Sequence, residues 1–316
     1  MSAELNRRGF LGAAIGTGAA AAAAGAPSAL ASDRDWDWHG SSGDVPRKRR
    51  GMQMWSMRRL IEEGVQTPEQ VFRTLGRLGY TEIELAGHYG LPASELRRII
   101  ERAGMRAFSG HDGPGFPAQS GWQDGYRETL EYAVEMGQKW TGLAWWPGPY
   151  NDLNLWHQLA EHLQAAGTIA KDEFGLKFFY HNHDFEFANT QADGTPVYNI
   201  LLETDRDVVS FELDLYWIVY GGESPVAYLS AEPARFPLYH VKDRTWKDRG
   251  PDIQDWEDTG PGAIDFPDCF DAGDGRRLDK HFIIEHDWPL FSHPDDDFAE
   301  YTTAEVSIDY LRRVRW

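Results

Sequence analysis

Cysteine is nearly missing from this chain. Cys269 stands alone, which excludes an intrachain disulfide and a thiolate-built metal site. Basic runs are scarce too. Asp and Glu number 50 against 31 Lys and Arg, for a formal charge of −19, and the one cationic block is Arg47, Lys48, Arg49 and Arg50. So acidic a surface repels phosphate backbones, and nucleic acid is not an expected partner. No Gly-x-Gly-x-x-Gly follows a strand-like run, so the usual dinucleotide cradle is absent. Nor does a Gly-rich turn before a helix offer a phosphate clamp. No segment is long and apolar enough for a span of roughly 20 residues, and no membrane span is expected in the mature chain.

What remains is a well-provisioned core, with 41% apolar and 13% aromatic residues. The first residues carry an address rather than a fold. Asn6, Arg7, Arg8, Gly9, Phe10 and Leu11 resemble a twin-arginine export motif. An Ala/Gly stretch and the small-x-small site Ala29, Leu30, Ala31 follow. Residues 1–31 are therefore expected to be a signal peptide, and the mature chain periplasmic or extracellular. Residues 32–50 are polar and irregular and read as a linker or arm. The body is expected over 51–316.

From Met52 the chain alternates short apolar runs with amphipathic stretches. Strand-like pieces fall near 52–55, 81–86, 106–110, 140–145, 176–181, 208–214, 236–241 and 281–285. The intervening helices carry their own punctuation: Thr67 as N-cap before Pro68, then Gly79, Gly104, Gly137 and Gly175 as stops. Repeated strand–helix–Gly units predict parallel strands joined by right-handed crossovers, a single-domain α/β fold of the (β/α)8 TIM-barrel type. The sector 244–265 is charged and rich in Gly and Pro, and reads as a loop over the barrel mouth.

The strand ends carry the chemistry. Asp214, His240 and Glu285 are each the first ionisable residue after an apolar run, on units six, seven and eight. Buried carboxylates and imidazoles need a partner or a cation. Without thiolates the set suits one divalent ion: Mn, Fe, Co, Zn or Mg. Trp55, Trp145, Trp146 and Trp217 lie where they could stack on a sugar ring. Glu84, His111 and Asp287 could read its hydroxyls.

Six motifs together resemble the xylose-isomerase-like barrel superfamily of sugar and sugar-phosphate isomerases and epimerases. They are Ile83-Glu-Leu-Ala-Gly87, Tyr180-His-Asn-His-Asp-Phe-Glu186, Phe211-Glu-Leu-Asp-Leu-Tyr-Trp217, His240-Val-Lys-Asp243, Gly262-x-Ile-Asp-Phe-Pro267 and Ile284-Glu-His-Asp287. The resemblance implies a metal held by Glu, Asp, His and Glu from strands five to eight. Asp214, His240 and Glu285 carry over. The strand-five glutamate falls at Tyr180 or His181, so the replacement ligand is His183 or His181, with His183 preferred. The resemblance also implies roles. Glu285 would move the carbon-bound proton, Lys242 would donate to the developing oxyanion with a pKa lowered by burial beside the metal, and His181 would be a second acid/base. Lys242 in a salt bridge with Asp243 or Asp214 is the structural alternative.

The expected activity is thus metal-dependent isomerisation or epimerisation of an unphosphorylated keto-sugar through an enediolate. The departure on strand five keeps two alternatives open: β-elimination from a 3-keto-glycoside, and a sugar-binding barrel without catalysis. The superfamily's multi-zinc DNA-repair endonucleases are disfavoured by the acidic charge and the leader. A homo-oligomer is compatible with the sequence.

Overall fold

Side-chain alternation explains the architecture. The strands are β1 (Arg50–Gln53), β2 (Glu82–Leu85), β3 (Arg106–Gly110), β4 (Trp140–Leu143), β5 (Lys177–His181), β6 (Val209–Asp214), β7 (Leu238–Val241) and β8 (His281–Ile284). All are short and almost wholly buried, as parallel strands covered on both faces must be. They pair in parallel in the order β3-β2-β1-β8-β7-β6-β5-β4. The two ends of that order meet. Lys139 N donates to Phe108 O at 2.8 Å and Gly113 N to Gly142 O at 2.7 Å, bringing the sheet nearly to closure as a TIM barrel.

The chain is a computed structural model that describes residues 43–245, 255–275 and 279–316. The expected leader (1–31) and residues 32–42 of the arm lie outside the described residues. At the end of the arm, Asp44 bridges Arg315 and Val45 is buried, so this stretch sits against the C-terminus. Among the described residues no helix is long and apolar enough to cross a membrane.

The helices pack where the Gly punctuation placed them. Thr67 caps Pro68–Leu78 with a full capping box to Gln70, and Gly79 ends it at φ +101°, a left-handed turn that suits glycine. The helix buries Val71, Phe72 and Leu75. Outward strand residues such as Ile83, Phe211, Tyr239 and Phe282 join the main core beneath the helices. A separate small cluster of Phe108, Trp140, Phe179, Leu238 and Ile283 fills the barrel interior. Gly142 on β4 has no side chain because the Phe179 ring occupies that space.

Period two then stacks the polar inward residues in layers. On β2 these are Glu82 and Glu84; on β6, Ser210, Glu212 and Asp214; on β8, His281 and, just past the strand, Glu285. The register sets Asp214 beside His240 on β7. The expected loop sector begins as a small antiparallel ladder, Asp243–Arg244 against Trp256–Glu257. The Asp243 carboxylate accepts the backbone N–H groups of Arg244, Gly260, Gly262 and Ile264, tying both feet of the sector together. Residues 246–254 lie outside the described residues.

Candidate metal centre

The four groups His181, Asp214, His240 and Glu285 are all buried, and their ligating atoms lie within 4.8 Å of one another. Each owes its place to a strand end. Asp214 closes β6 and caps the helix Leu215–Tyr220, its Oδ1 accepting Tyr216 N and Trp217 N at 2.9 Å each. Its other oxygen is thereby left for the barrel. Asn182 pins the same spot, accepting Asp214 N at 3.0 Å. His240 Nδ1 lies 2.9 Å from Glu285 Oε2 and 3.8 Å from Asp214 Oδ2.

Lys242 completes the upper layer. Its Nζ sits 3.0 Å from Asp214 Oδ2, 2.6 Å from Glu285 Oε2 and 3.0 Å from Asp287 Oδ2. Burial alone would depress its pKa, but Asp214, Asp287 and Glu285 outweigh it and raise it well above the ordinary value. These carboxylates by themselves favour the ammonium; the expected fall belongs to burial beside a bound metal. The salt bridge runs to Asp214, not to Asp243, whose carboxylate is taken by backbone N–H groups. Burial works against ionisation of Glu285 as well, yet Lys242 and His240 bring its pKa well below the usual range. His181 is pushed far down, first by burial and then by His240 and His183, so it keeps a neutral ring with a lone pair to give.

These residues fit a divalent ion. His181 Nδ1, Asp214 Oδ2, His240 Nδ1 and Glu285 Oε2 are buried and converge, with Lys242, Glu212 and one another as ionic neighbours. Two imidazoles and two carboxylates form a hard-to-borderline set of the kind that Mn, Fe, Co or Zn accepts. Charge points the same way. Five carboxylates (Glu84, Glu212, Asp214, Glu285 and Asp287) gather around one lysine and four imidazoles (His111, His181, His183 and His240).

Of the two strand-five histidines, His181 and not the preferred His183 is the one grouped with Asp214, His240 and Glu285. His181 is the last residue of β5 and points inward in phase with Phe179. After it the chain turns into the short helix Phe185–Ala188, and His183 stacks on Phe185 with ring centroids 5.6 Å apart. It faces Trp217 at 5.4 Å, and burial, with Lys242 next, lowers its pKa to about 3.

The other candidates divide. Asp287 stays at the mouth, where it also accepts Trp256 Nε1 at 3.2 Å. Trp217 lies under the Lys242 ammonium, 5.3 Å from Nζ to ring centroid. Trp55 is half-buried beneath the Arg58 guanidinium, and Trp145 is exposed. Trp146 is core, edge-on to Trp156 and Phe116, because neighbours in a dipeptide point apart. Glu84 and His111 are engaged with neighbouring protein groups. Glu84 is fully buried one layer down, held by Gln53 at 2.7 Å, by Ser109 and by His240 Nε2 at 2.7 Å. His111 Nε2 bridges Glu84 and Glu212 at 3.2 and 3.1 Å, and these carboxylates overcome burial to raise its pKa to about 10.

Glu212 was missed altogether. It lies 3.1 Å from His240 Nε2 and 3.3 Å from His181 Nδ1. The signal was present: it stands two residues before Asp214, on the same face of β6.

Comparison with known proteins agrees with the geometry. The sequence model of the xylose isomerase-like TIM barrel family matches residues 48–313, and the chain belongs to that family. A sugar phosphate isomerase/epimerase from Parabacteroides distasonis superposes with a TM-score of 0.68 at 22% identity, over 84% of this chain and 98% of that one. D-Psicose 3-epimerase from Clostridium cellulolyticum, solved with D-tagatose, superposes at 0.61 with 14% identity, over 84% and 99%. Among curated proteins the chain is 26% identical over 152 residues to inosose dehydratase of Clostridium beijerinckii, covering 44% of this chain. The match spans 50% of that relative's length.

Proposed function

We propose that the chain is a metal-dependent enzyme that enolises an unphosphorylated keto-sugar or sugar derivative, most simply as an isomerase or epimerase. The carrying observation is the convergence of four buried potential ligands, His181, Asp214, His240 and Glu285, at adjacent strand ends. A bound divalent ion would polarise a carbonyl and neighbouring hydroxyl and stabilise negative charge developing there. Glu285, held ionised by Lys242 and His240, takes the proton from the carbon beside the carbonyl. Lys242 supplies a fixed positive charge and a donor at the same spot. Trp217 and Asp287 line the approach.

A second reading is elimination. The β5 position carries His181 and not a carboxylate, which removes one of two paired bases, and the sequence likeness to a dehydratase supports it. In that case Glu285 takes the proton beside the ketone, a C=C bond forms, and the group on the next carbon leaves with a proton from Lys242 or water.

Incubation in deuterium oxide with a panel of keto-sugars and 3-keto-glycosides separates the two. Deuterium in a recovered isomeric sugar supports isomerisation, and release of water or aglycone supports elimination. Ligand binding with neither would remove both. The proposal includes export. Fractionation of cells expressing the chain with Arg7 and Arg8 replaced by Lys should show it retained.

A further inference from the structure

His240 spans two layers of charge. Its Nδ1 faces the upper cluster, while Nε2 points down to Glu84 Oε1 at 2.7 Å and Glu212 Oε2 at 3.1 Å. The lower layer is built from behind. Gln53 Oε1 accepts Trp55 N at 3.0 Å, which turns its amide nitrogen toward Glu84, and Ser109 donates to the other Glu84 oxygen. An oxygen so supplied can only accept, so Nε2 of His240 donates to it, and this contact fixes the direction in which Nδ1 faces Asp214 and Glu285. The two layers differ in one respect. Both Glu84 oxygens are taken by donors of the barrel wall, whereas the upper oxygens Asp214 Oδ2 and Glu285 Oε2 share one ammonium, that of Lys242.

From this we infer that Glu84, seated by Gln53 and Ser109, is the positioning residue of the metal centre: it fixes the ring direction of His240 and so sets the affinity of the site. Glu212 supports it, contacting both His240 and His181. The inference rests on the metal reading above. Carboxylates behind metal-bound imidazoles typically change metal affinity by ~10–100-fold.

The test is a Co²⁺ titration of the full chain, followed by visible absorption, which reports both affinity and ligand geometry. Glu84→Gln should weaken Co²⁺ binding by about 10–100-fold and shift the absorption bands. Glu82→Gln, on the same strand and face but at the barrel floor, should leave both unchanged. Should Glu84→Gln fail to fold, Glu84→Asp, which keeps the charge but withdraws it by one methylene, should show the same weakening. Undiminished affinity with an unaltered spectrum, where the parent chain binds Co²⁺, overturns the inference alone. No binding by the parent chain would defeat the metal reading and this inference together.

Discussion

Glu82 and Glu285 are both buried carboxylates facing the inside of one barrel, yet they are treated in opposite ways. At the floor Glu82 is surrounded: Arg49 at 3.2 Å, Arg106, and His281 Nδ1 at 2.7 Å. At the mouth Glu285 meets Lys242 and His240, but that one lysine is shared with Asp214 and Asp287. A third carboxylate shows what happens with no cation at all. Glu186 is fully buried, accepts Tyr180 OH at 2.7 Å and His183 N at 2.9 Å, and burial drives its pKa up to about 8. Complete ionic pairing marks a charge that holds the fold together. A cation shared among several carboxylates marks a charge kept ready for a ligand. Hydrogen bonds without a cation mark an acid kept neutral.

Substitution at the mouth should have the largest effect. Glu285→Gln removes the base and a ligand together, so turnover should fall by about 10⁴-fold, the upper end for one acid–base group, and metal content should drop below one per chain. Comparable turnover in the variant would end the comparison. Lys242→Met should keep the fold while lowering kcat by about 10²–10³-fold, read by steady-state kinetics.

At the floor, Glu82→Gln should cost about 3 kcal/mol of unfolding free energy in urea titration, the low end for a broken buried pair because Arg106 can reach solvent. Activity per folded molecule should not change. For Glu186 the sign follows from linkage. A carboxyl whose folded pKa is raised binds its proton more tightly when folded. Its contribution is present below the unfolded value, near 4.5, and is lost as pH rises toward about 8. Glu186→Gln should therefore flatten the fall in stability between pH 5 and pH 8, a difference on the order of a few kcal/mol. The smallest effect belongs to Trp145→Ala. Its exposure predicts a stability change within about 0.5 kcal/mol, leaving KM as the parameter that reveals sugar contact.

The strands and their order of appearance were legible because a buried parallel strand is a short apolar run and each helix announces its end with glycine. Asp214, His240 and Glu285 were legible for the same reason: the apolar run stops where the chemistry starts. Residues within strands were harder. Glu212 hides between Phe211 and Leu213, and only strict alternation counted back from Asp214 places it inside the barrel. Glu84 looked like a strand-end reader because the sequence does not show how far β2 continues past it. His183 and His181 share a face if the strand runs on, and the end of β5 at His181, which separates them, is a tertiary event. Trp145 and Trp146 are chemically alike, and the packing of Trp156, Tyr150 and Phe116 decides which one is covered.

The four N–H groups collected by Asp243 have a consequence for how such a protein can change over time. Asp243 follows Lys242 directly, so the residue that anchors both feet of the sector is covalent neighbour to one beside the candidate site. With both feet of that sector moored to one carboxylate, residues can be inserted, deleted or exchanged between them without moving Lys242 or the strand ends. New substrates can be accommodated by rewriting that span alone, while the machinery beneath stays as it is.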